Sequence, residues 1–473
     1  MESLEMQIKK SANNKNMIAP ALNENNFCRL AKAIIEKHDC SYEEALETLG
    51  KFRLNLICDE SIKYSAAHQA ALLTSLNSGK RAFHGGVTVI MPSDTPCLLP
   101  WPGKPTLNKI AAQLGAQFTD LVHTQFSHTL YFGKFSNPVM DGLAVHCTGW
   151  RGGVAPADVP LSITGTSDFA LGGVLAGALG VAKGFLRVSG LSSRFVDSPQ
   201  GISLWRPDLD WITQEAEGPK LTYLPARIWL LGLGHLGQAF LWSIGLLPYG
   251  KPNEATFLLQ DFDRVVEGNW SAGLLCEADS PGKCKTRLCA EWIEKRGFQT
   301  TITERPFDLS TKRSGEEPYI AMCGFDSPIA RRGLEEAGFD LIVECGLGAT
   351  TDYFDSIMIH TFPGATQTPK EIWPEETNER DQANETFLKA FKTDGDCGIV
   401  AETLAKKAIS SSFVGAFAAS LAVGELLRGL HGGDRCEIIK AHLRSNDSPI
   451  VVCKNEVYQK KFGRNGFLSV QTK

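Results

Sequence analysis

Apolar positions follow two different rhythms along the chain. In "NNFCRLAKAIIEKHDCSYEEALETLGKF" (25–52) they recur at three and four, the spacing of helices with one buried face, and residues 1–75 read as a helical lead-in. "GGVTVIMPSD" (85–94) is instead a short apolar run ended by turn residues, which predicts a buried strand. The proline-rich "PCLLPWPGKP" that follows predicts a loop, and a helix is expected from about 106 to 114. Further on, "RIWLLGLG" (227–234), "ATFLLQDFD" (255–263) and "EPYIAMCGFDSPIARRGLEEAGFDLIVECGLG" (317–348) alternate strand and helix patterns, the order of a mainly parallel sheet.

Two small-residue stretches resemble one another. "GVLAGALGVAKGFLR" (173–187) and "GAFAASLAVGELLR" (415–428) share a leading glycine, Ala176/Ala418, Leu179/Leu421, Val181/Val423 and a closing Leu-Arg, each after a Ser-x-Phe or Ser-Ser-Phe turn. Similar helices near the ends of two halves predict duplicated domains that pack through them; the alternative is two unrelated core helices. The proline- and charge-rich stretch at 198–226 places a linker at 201–225, with a first domain over 76–200 and a second over 226–360 and 405–473.

Composition narrows the class. A chain of 473 residues with 43% hydrophobic residues, 21% charged residues and a mean hydropathy of -0.11 reads as a soluble protein of two domains. The formal net charge of -5 gives no drive toward nucleic acid or an anionic membrane. The start has no basic segment followed by an apolar core, and the Ala/Gly-rich stretches near 170–186 and 413–427 read as too short and charge-interrupted to span a bilayer, so a cytoplasmic location is expected. The 13 cysteines form no C-x-x-C pair, which argues against a structural zinc.

The candidate chemistry lies in the second half. Gly232, Gly234 and Gly237 in "GLGHLG" follow an apolar strand and open a helix, where backbone amides and the helix dipole favour a phosphate. Asp261 ends the next strand at a spacing suited to ribose hydroxyls, which fits NAD and ATP alike. Asp263, Asn269 and Lys285 then return to the phosphate end. A lysine there neutralises charge on a departing pyrophosphate, a task hydride transfer does not need. Asp326 ends a further strand, where it would hold Mg2+ over phosphates or simply cap a helix.

In this order, G-x-G-x-x-G, D-x-D, Asn, Lys and a strand-end Asp, the segment 225–430 resembles the superfamily of ubiquitin-activating enzymes and the bacterial ThiF, MoeB and HesA proteins. The resemblance implies an α/β fold of two fused Rossmann-like adenylation-type domains with mainly parallel sheets, the first degenerate and the second active. It implies ATP on Gly232, Gly234 and Gly237, ribose on Asp261, Asp263 and Asn269 in the adenylation pocket, Lys285 on the phosphates and Mg2+ on Asp326. One position departs from the pattern: Ala272 stands where the family carries a phosphate-binding arginine, and Arg151 and Arg194 are candidates to replace it.

The resemblance also makes 361–404 a crossover segment. Within it, Cys397 in "DGDCGIV" is the candidate nucleophile for a carrier thioester, against a purely structural cysteine. Without paired-cysteine zinc, sulfurtransferase or ubiquitin-fold segments, the chain resembles most the activating component of bacterial ubiquitin-like conjugation operons of the Bil type, with a role in antiviral defence. Its expected partners are a ubiquitin-like carrier protein and a conjugating enzyme, and a homodimer stays open. Two alternatives remain at this stage: adenylation of a sulfur carrier without an enzyme thioester, and an NAD-binding oxidoreductase or inactive Rossmann scaffold.

Overall fold

The computed structural model describes residues 23, 25–135, 141–165, 167–192, 198–364, 366–375, 404, 408–444, 449–454 and 462–471. The N-terminal segment forms α1 (Arg29–His38) and α2 (Tyr42–Lys51). Ser41 and Glu44 open α2 with a capping box, each side chain accepting from the other's backbone amide. The first half continues through β1 (Arg53–Cys58), α3 (Ala66–Gly79), β2 (Gly86–Ile90), α4 (Leu107–Gln113), β3 (Gln117–Phe118) and β4 (Ser127–Phe132). It ends with β5 (Leu143–Thr148), β6 (Arg151–Pro156), α5 (Ala170–Val188) and β7 (Gln200–Ser203).

The second half contains β8 (Tyr223–Pro225), β9 (Arg227–Leu231), α6 (His235–Gly245), β10 (Thr256–Gln260), α7 (Lys285–Glu294), β11 (Gln299–Thr303), β12 (Ile320–Cys323) and α8 (Pro328–Arg332). There follow β13 (Leu341–Leu347), β14 (Ser356–Phe362), α9 (Ser412–Leu430), β15 (Arg435–His442), β16 (Ile450–Lys454) and β17 (Phe467–Ser469).

The two halves each build a sheet, in orders β3-β2-β1-β4-β5-β6-β7 and β11-β10-β9-β12-β13-β14-β15-β16, while β8 pairs with β17 apart from both. Strands are parallel from β3 through β5 and from β11 through β13, and antiparallel beyond. In both sheets the strand order reverses beside the first strand, between β1 and β4 and between β9 and β12. Such a switch point leaves a crevice at the carboxyl ends of the strands.

Three expectations change here. An interior strand of the first sheet, β1, lies inside the supposed lead-in of 1–75. Its six residues are masked in the sequence by the stronger helical pattern just before them, and the sheet begins at Arg53 rather than 76. The supposed linker 201–225 contains most of β7 and all of β8, because short strands with polar neighbours leave no clear alternation. Third, α5 and α9 are each 19 residues, long and apolar enough by length and composition to cross a membrane, contrary to the sequence reading; 89% and 100% of their apolar windows are buried inside the protein.

Small residues on these two helices permit close helix packing. A Cβ on Gly173 or Gly177 would stand 1.9 or 2.4 Å from the carbonyl oxygens of Ala67 and Ala71 on α3. In the second half Gly415 of α9 lies against the ring of His235 on α6, where a Cβ would approach Nε2 to 2.2 Å. The helices α5 and α9 then meet each other, with the Phe185 and Phe413 rings 5.5 Å apart. One buried apolar cluster consequently runs through both halves.

Candidate functional site

The second sheet's switch point gathers most of the candidate residues. Gly232 directly follows β9 with φ +81°, in the left-handed region, and its amide donates to the Gln260 carbonyl at 2.9 Å. A Cβ there would sit 2.9 Å from the Phe325 amide nitrogen, and a Cβ on Gly237 would sit 2.1 Å from the Gly232 carbonyl oxygen. Two of the three glycines are therefore demanded by the turn and its packing. Gly234, the N-cap of α6, differs: a Cβ there meets nothing within 4 Å, and no side chain caps the helix.

Asp261 follows β10 and holds the loop from the side. Its Oδ2 accepts from the Leu233 amide at 2.6 Å and its Oδ1 from the Asp263 amide at 2.8 Å. Asp263 is exposed, and its Oδ2 lies 2.6 Å from Nζ of Lys285, the first residue of α7; the Lys285 amide also donates to the Asp263 carbonyl at 3.0 Å. The structure thus brings Asp263 and Lys285 into one ion pair. Asn269 lies in a single 3-10 turn (Glu267–Ser271), and its Oδ1 accepts from the Val266 amide at 3.1 Å.

Asp326 is exposed directly after Phe325, the residue packed on Gly232. The cap of α8 is Ser327, whose Oγ accepts from the Ala330 amide at 3.3 Å, so the Asp326 carboxylate is not spent as that cap. Among the described residues no three His, Cys, Asp or Glu side chains form a metal cage. One exposed carboxylate beside a glycine loop fits a Mg2+ ion carried on phosphates, which needs only one or two protein carboxylates.

Cys397 and Arg194 lie outside the described residues. The other arginine candidate, Arg151, is corrected by the fold. It begins β6 in the first sheet, wholly buried, and its guanidinium donates to the carbonyls of Thr148, Thr164 and Thr213, with Glu217 3.9 Å away. Every arm is engaged in its own half, so it cannot stand in for the residue missing at Ala272.

Sequence reasoning missed what surrounds Ala272, itself buried. Arg81, just beyond α3, is fully buried and donates to the carbonyls of Trp270, Leu274 and Cys276, with its guanidinium 5.4 Å from the Trp270 ring centre. Burial pushes its pKa down to about 10. Asn77 adds a bond to the Leu274 carbonyl at 3.0 Å, and the Gly268 amide donates to the Asn25 carbonyl. The segment carrying Asn269 is therefore held by groups from the first half, 189 positions away in sequence for Arg81 and Trp270. No local motif signals such a contact.

The corresponding crevice of the first half is closed by carboxylates of the chain itself. Asp59, after β1, accepts from the Ser61 amide at 2.9 Å and from the Lys134 amide at 2.7 Å. Asp168 accepts from the Ala66 and Ala67 amides at 2.7 and 2.8 Å, filling the N-terminus of α3. A helix N-terminus attracts an anion, and here that anion is intramolecular.

Comparison with known proteins follows the same division. A family model described as the BilD N-terminal domain matches residues 53–204, and one described as the BilD C-terminal domain matches 224–433. The "Bacterial E1-like protein BilD" of Collimonas sp. (strain OK412) is 38% identical over 405 residues, which cover 84% of this chain and 87% of that protein. Among solved structures, E. coli MccB matches at 15% identity and a TM-score of 0.32, over 49% of this chain and 62% of its own, and MccB with ATP at 16% and 0.31, over 49% and 63%. The chain spans less than two thirds of MccB's length, and scores this low carry no inference about the site. With family models matching residues 53–204 and 224–433 and a relative at 38% identity over most of its length, the chain belongs to the BilD family.

Proposed function

We propose that this protein activates a ubiquitin-like carrier by adenylating the carrier's C-terminal carboxylate with ATP, then takes the carrier as a thioester on Cys397 for delivery to a conjugating enzyme. The observation that carries this reading is the Lys285–Asp263 pair at the mouth of the second switch point, beside the glycine loop. A lysine at that position, held at the start of α7, suits a reaction in which pyrophosphate departs, and the name of the curated relative, a bacterial E1-like protein, supports it.

On this reading the triphosphate lies along Gly232–Gly237 and the N-terminus of α6, and Asp261 faces the ribose while it ties the loop to β10. A carboxylate oxygen of the carrier attacks the α-phosphorus, the bond to the β-phosphate oxygen breaks, and pyrophosphate leaves with that electron pair beside Lys285. Mg2+, which Asp326 would hold, supplies further neutralisation of phosphate charge. The Cys397 thiolate then attacks the acyl carbon and AMP departs, its thiol proton having gone to solvent. The first half is read as an inactive partner, because Asp59 and Asp168 already occupy its anion-attracting crevice.

The test is intact mass spectrometry of the protein after incubation with Mg-ATP in a lysate of its native host, with and without reductant. A thiol-sensitive adduct of small-protein mass, absent in Cys397→Ala and in Lys285→Ala, is expected. Carrier-dependent ATP–pyrophosphate exchange that persists in Cys397→Ala with no adduct in the unaltered protein would replace the thioester step with transient adenylation. Exchange indifferent to Lys285→Ala would overturn the whole reading.

A further inference from the structure

A cavity of about 260 Å³ opens one strand away from Asp326, between the carboxyl end of β13 and the antiparallel strands β14 and β15. Its floor is Glu344 on β13, with no exposed side-chain surface, paired across the ladder with His360 on β14. His360 Nδ1 lies 2.8 Å from one carboxylate oxygen, and Nε of Arg331 lies 3.1 Å from the other.

Arg331 is anchored by that one nitrogen alone. Its Nε donates to the Phe325 carbonyl at 3.0 Å, so Glu344 Oε1 has Arg331 at ion-pair distance and accepts no hydrogen bond among the described residues; Nη1 and Nη2 donate to no described residue and lie 3.8 and 3.9 Å from where a Cβ on Gly346 would stand. Gly346 and Arg331 both line the cavity, so the fork faces into it. Trp373 forms an aromatic wall 5.3 Å from the guanidinium carbon, and Lys440 on β15 adds a cation with no ion pair among the described residues. Among the described lining residues two cations face one buried carboxylate, a positive balance, and a planar fork whose Nη groups donate to no described residue matches a carboxylate.

We propose that this cavity binds an acidic side chain on the carrier segment that leads to its C-terminal carboxylate, and so selects carriers with Asp or Glu there over those with a neutral or basic residue. The proposal rests on the adenylation reading, since only that reading brings an extended tail to this edge. Neighbouring strands lie about 4.8 Å apart and an extended chain advances about 3.3 Å per residue, so a few residues separate the cavity from the glycine loop.

Calorimetry on the full chain without ATP tests it, using the peptides Ac-Gly-Glu-Gly-Gly and Ac-Gly-Gln-Gly-Gly and free glutarate. The glutamate peptide is expected to bind about tenfold more tightly than the glutamine peptide, a difference of about 1.4 kcal/mol. Lys440→Glu, on a half-buried strand position, is expected to melt like the unaltered protein and to lose the preference, and Arg331→Lys to weaken it. Equal affinity for the two peptides, or no heat from either at millimolar concentration, would overturn the proposal. Glutarate binding as tightly as the glutamate peptide would overturn the tail as occupant in favour of a free carboxylate. Because no nucleotide is present, loss of the preference with carrier-dependent pyrophosphate exchange intact removes this cavity alone, whereas loss of exchange with the preference intact removes the adenylation reading.

Discussion

Lys285 and Asp263 stand 22 positions apart in sequence and 2.6 Å apart in space, and the pair sets what each substitution does. Asp263 is exposed, so the ion pair contributes only about 0–1 kcal/mol to folding. Lys285→Ala is therefore expected to melt close to the unaltered protein while lowering the rate of carrier-dependent pyrophosphate exchange about 100- to 1,000-fold, the usual loss for one transition-state electrostatic contact. At the same scale, burial holds three imidazoles neutral: His128 is pushed from an ordinary 6.5 down to about 3, and His146 and His235 to about 4. Their unfolded forms bind protons that the folded forms refuse. The stability they contribute is full above about pH 6.5 and is lost as pH falls toward their folded values, with a slope of about 1.4 kcal/mol per pH unit for each. Neither ring nitrogen of His128 has a hydrogen-bond partner among the described residues, so His128→Leu is expected to remove about one such increment from the slope of unfolding free energy between pH 6 and 4, measured by urea titration.

At the scale of elements, the glycine loop and α6 separate what folding demands from what a ligand demands. Gly237 is pressed on the Gly232 carbonyl, whereas Gly234 looks into open space with φ -74°, which any residue adopts. Gly237→Ala is thus expected to destabilise the protein by about 1–3 kcal/mol in chemical denaturation, by overpacking the turn. Gly234→Ala is expected to leave the midpoint unchanged and to weaken ATP binding, because the added methyl would enter the open space that the proposed function gives to the phosphates. A sequence pattern scores these glycines alike. The helices α3 and α6 show the same limit: each follows the first strand of its sheet, yet α3 has its amides taken by Asp168 from 102 positions away, and α6 has no side-chain cap.

Across the whole molecule, the two halves share one core and the first builds part of the second's site. Arg81 joins them by bonding three backbone carbonyls between Trp270 and Cys276. Arg81→Leu takes this donor from the Trp270 and Cys276 carbonyls, while Leu274 keeps its bond from Asn77, and each orphaned acceptor costs about 1–3 kcal/mol. The variant is expected to lose several kcal/mol in denaturation and, with osmolyte present to keep it folded, to show weaker exchange activity, although the residue belongs to the half without a glycine loop. Full activity in a folded Arg81→Leu protein would show that this contact has no part in shaping the Asn269 segment. Trp242 on α6 adds a second junction, its indole donating to Thr74 on α3 at 3.0 Å.

The sequence by itself determined the strand–glycine–helix unit at 227–245, the strands that stop shortly before Asp261 and Asp326, at Gln260 and Cys323, and the start of a helix at Lys285, because each depends on local periodicity and on residues a few positions apart. It also carried the likeness of the two small-residue helices, since close packing leaves glycine and alanine at helical spacing. Only the tertiary structure decided that β1 lies inside a sheet with a partner on each side, that Arg151 is spent within its own half, that Arg81 reaches the Ala272 segment, and that Arg331, Glu344, His360 and Lys440 face one cavity. Those outcomes turn on which strands become neighbours. A buried arginine and a solvated one read alike in sequence, and what distinguishes them is the set of carbonyls that folding brings within 3 Å.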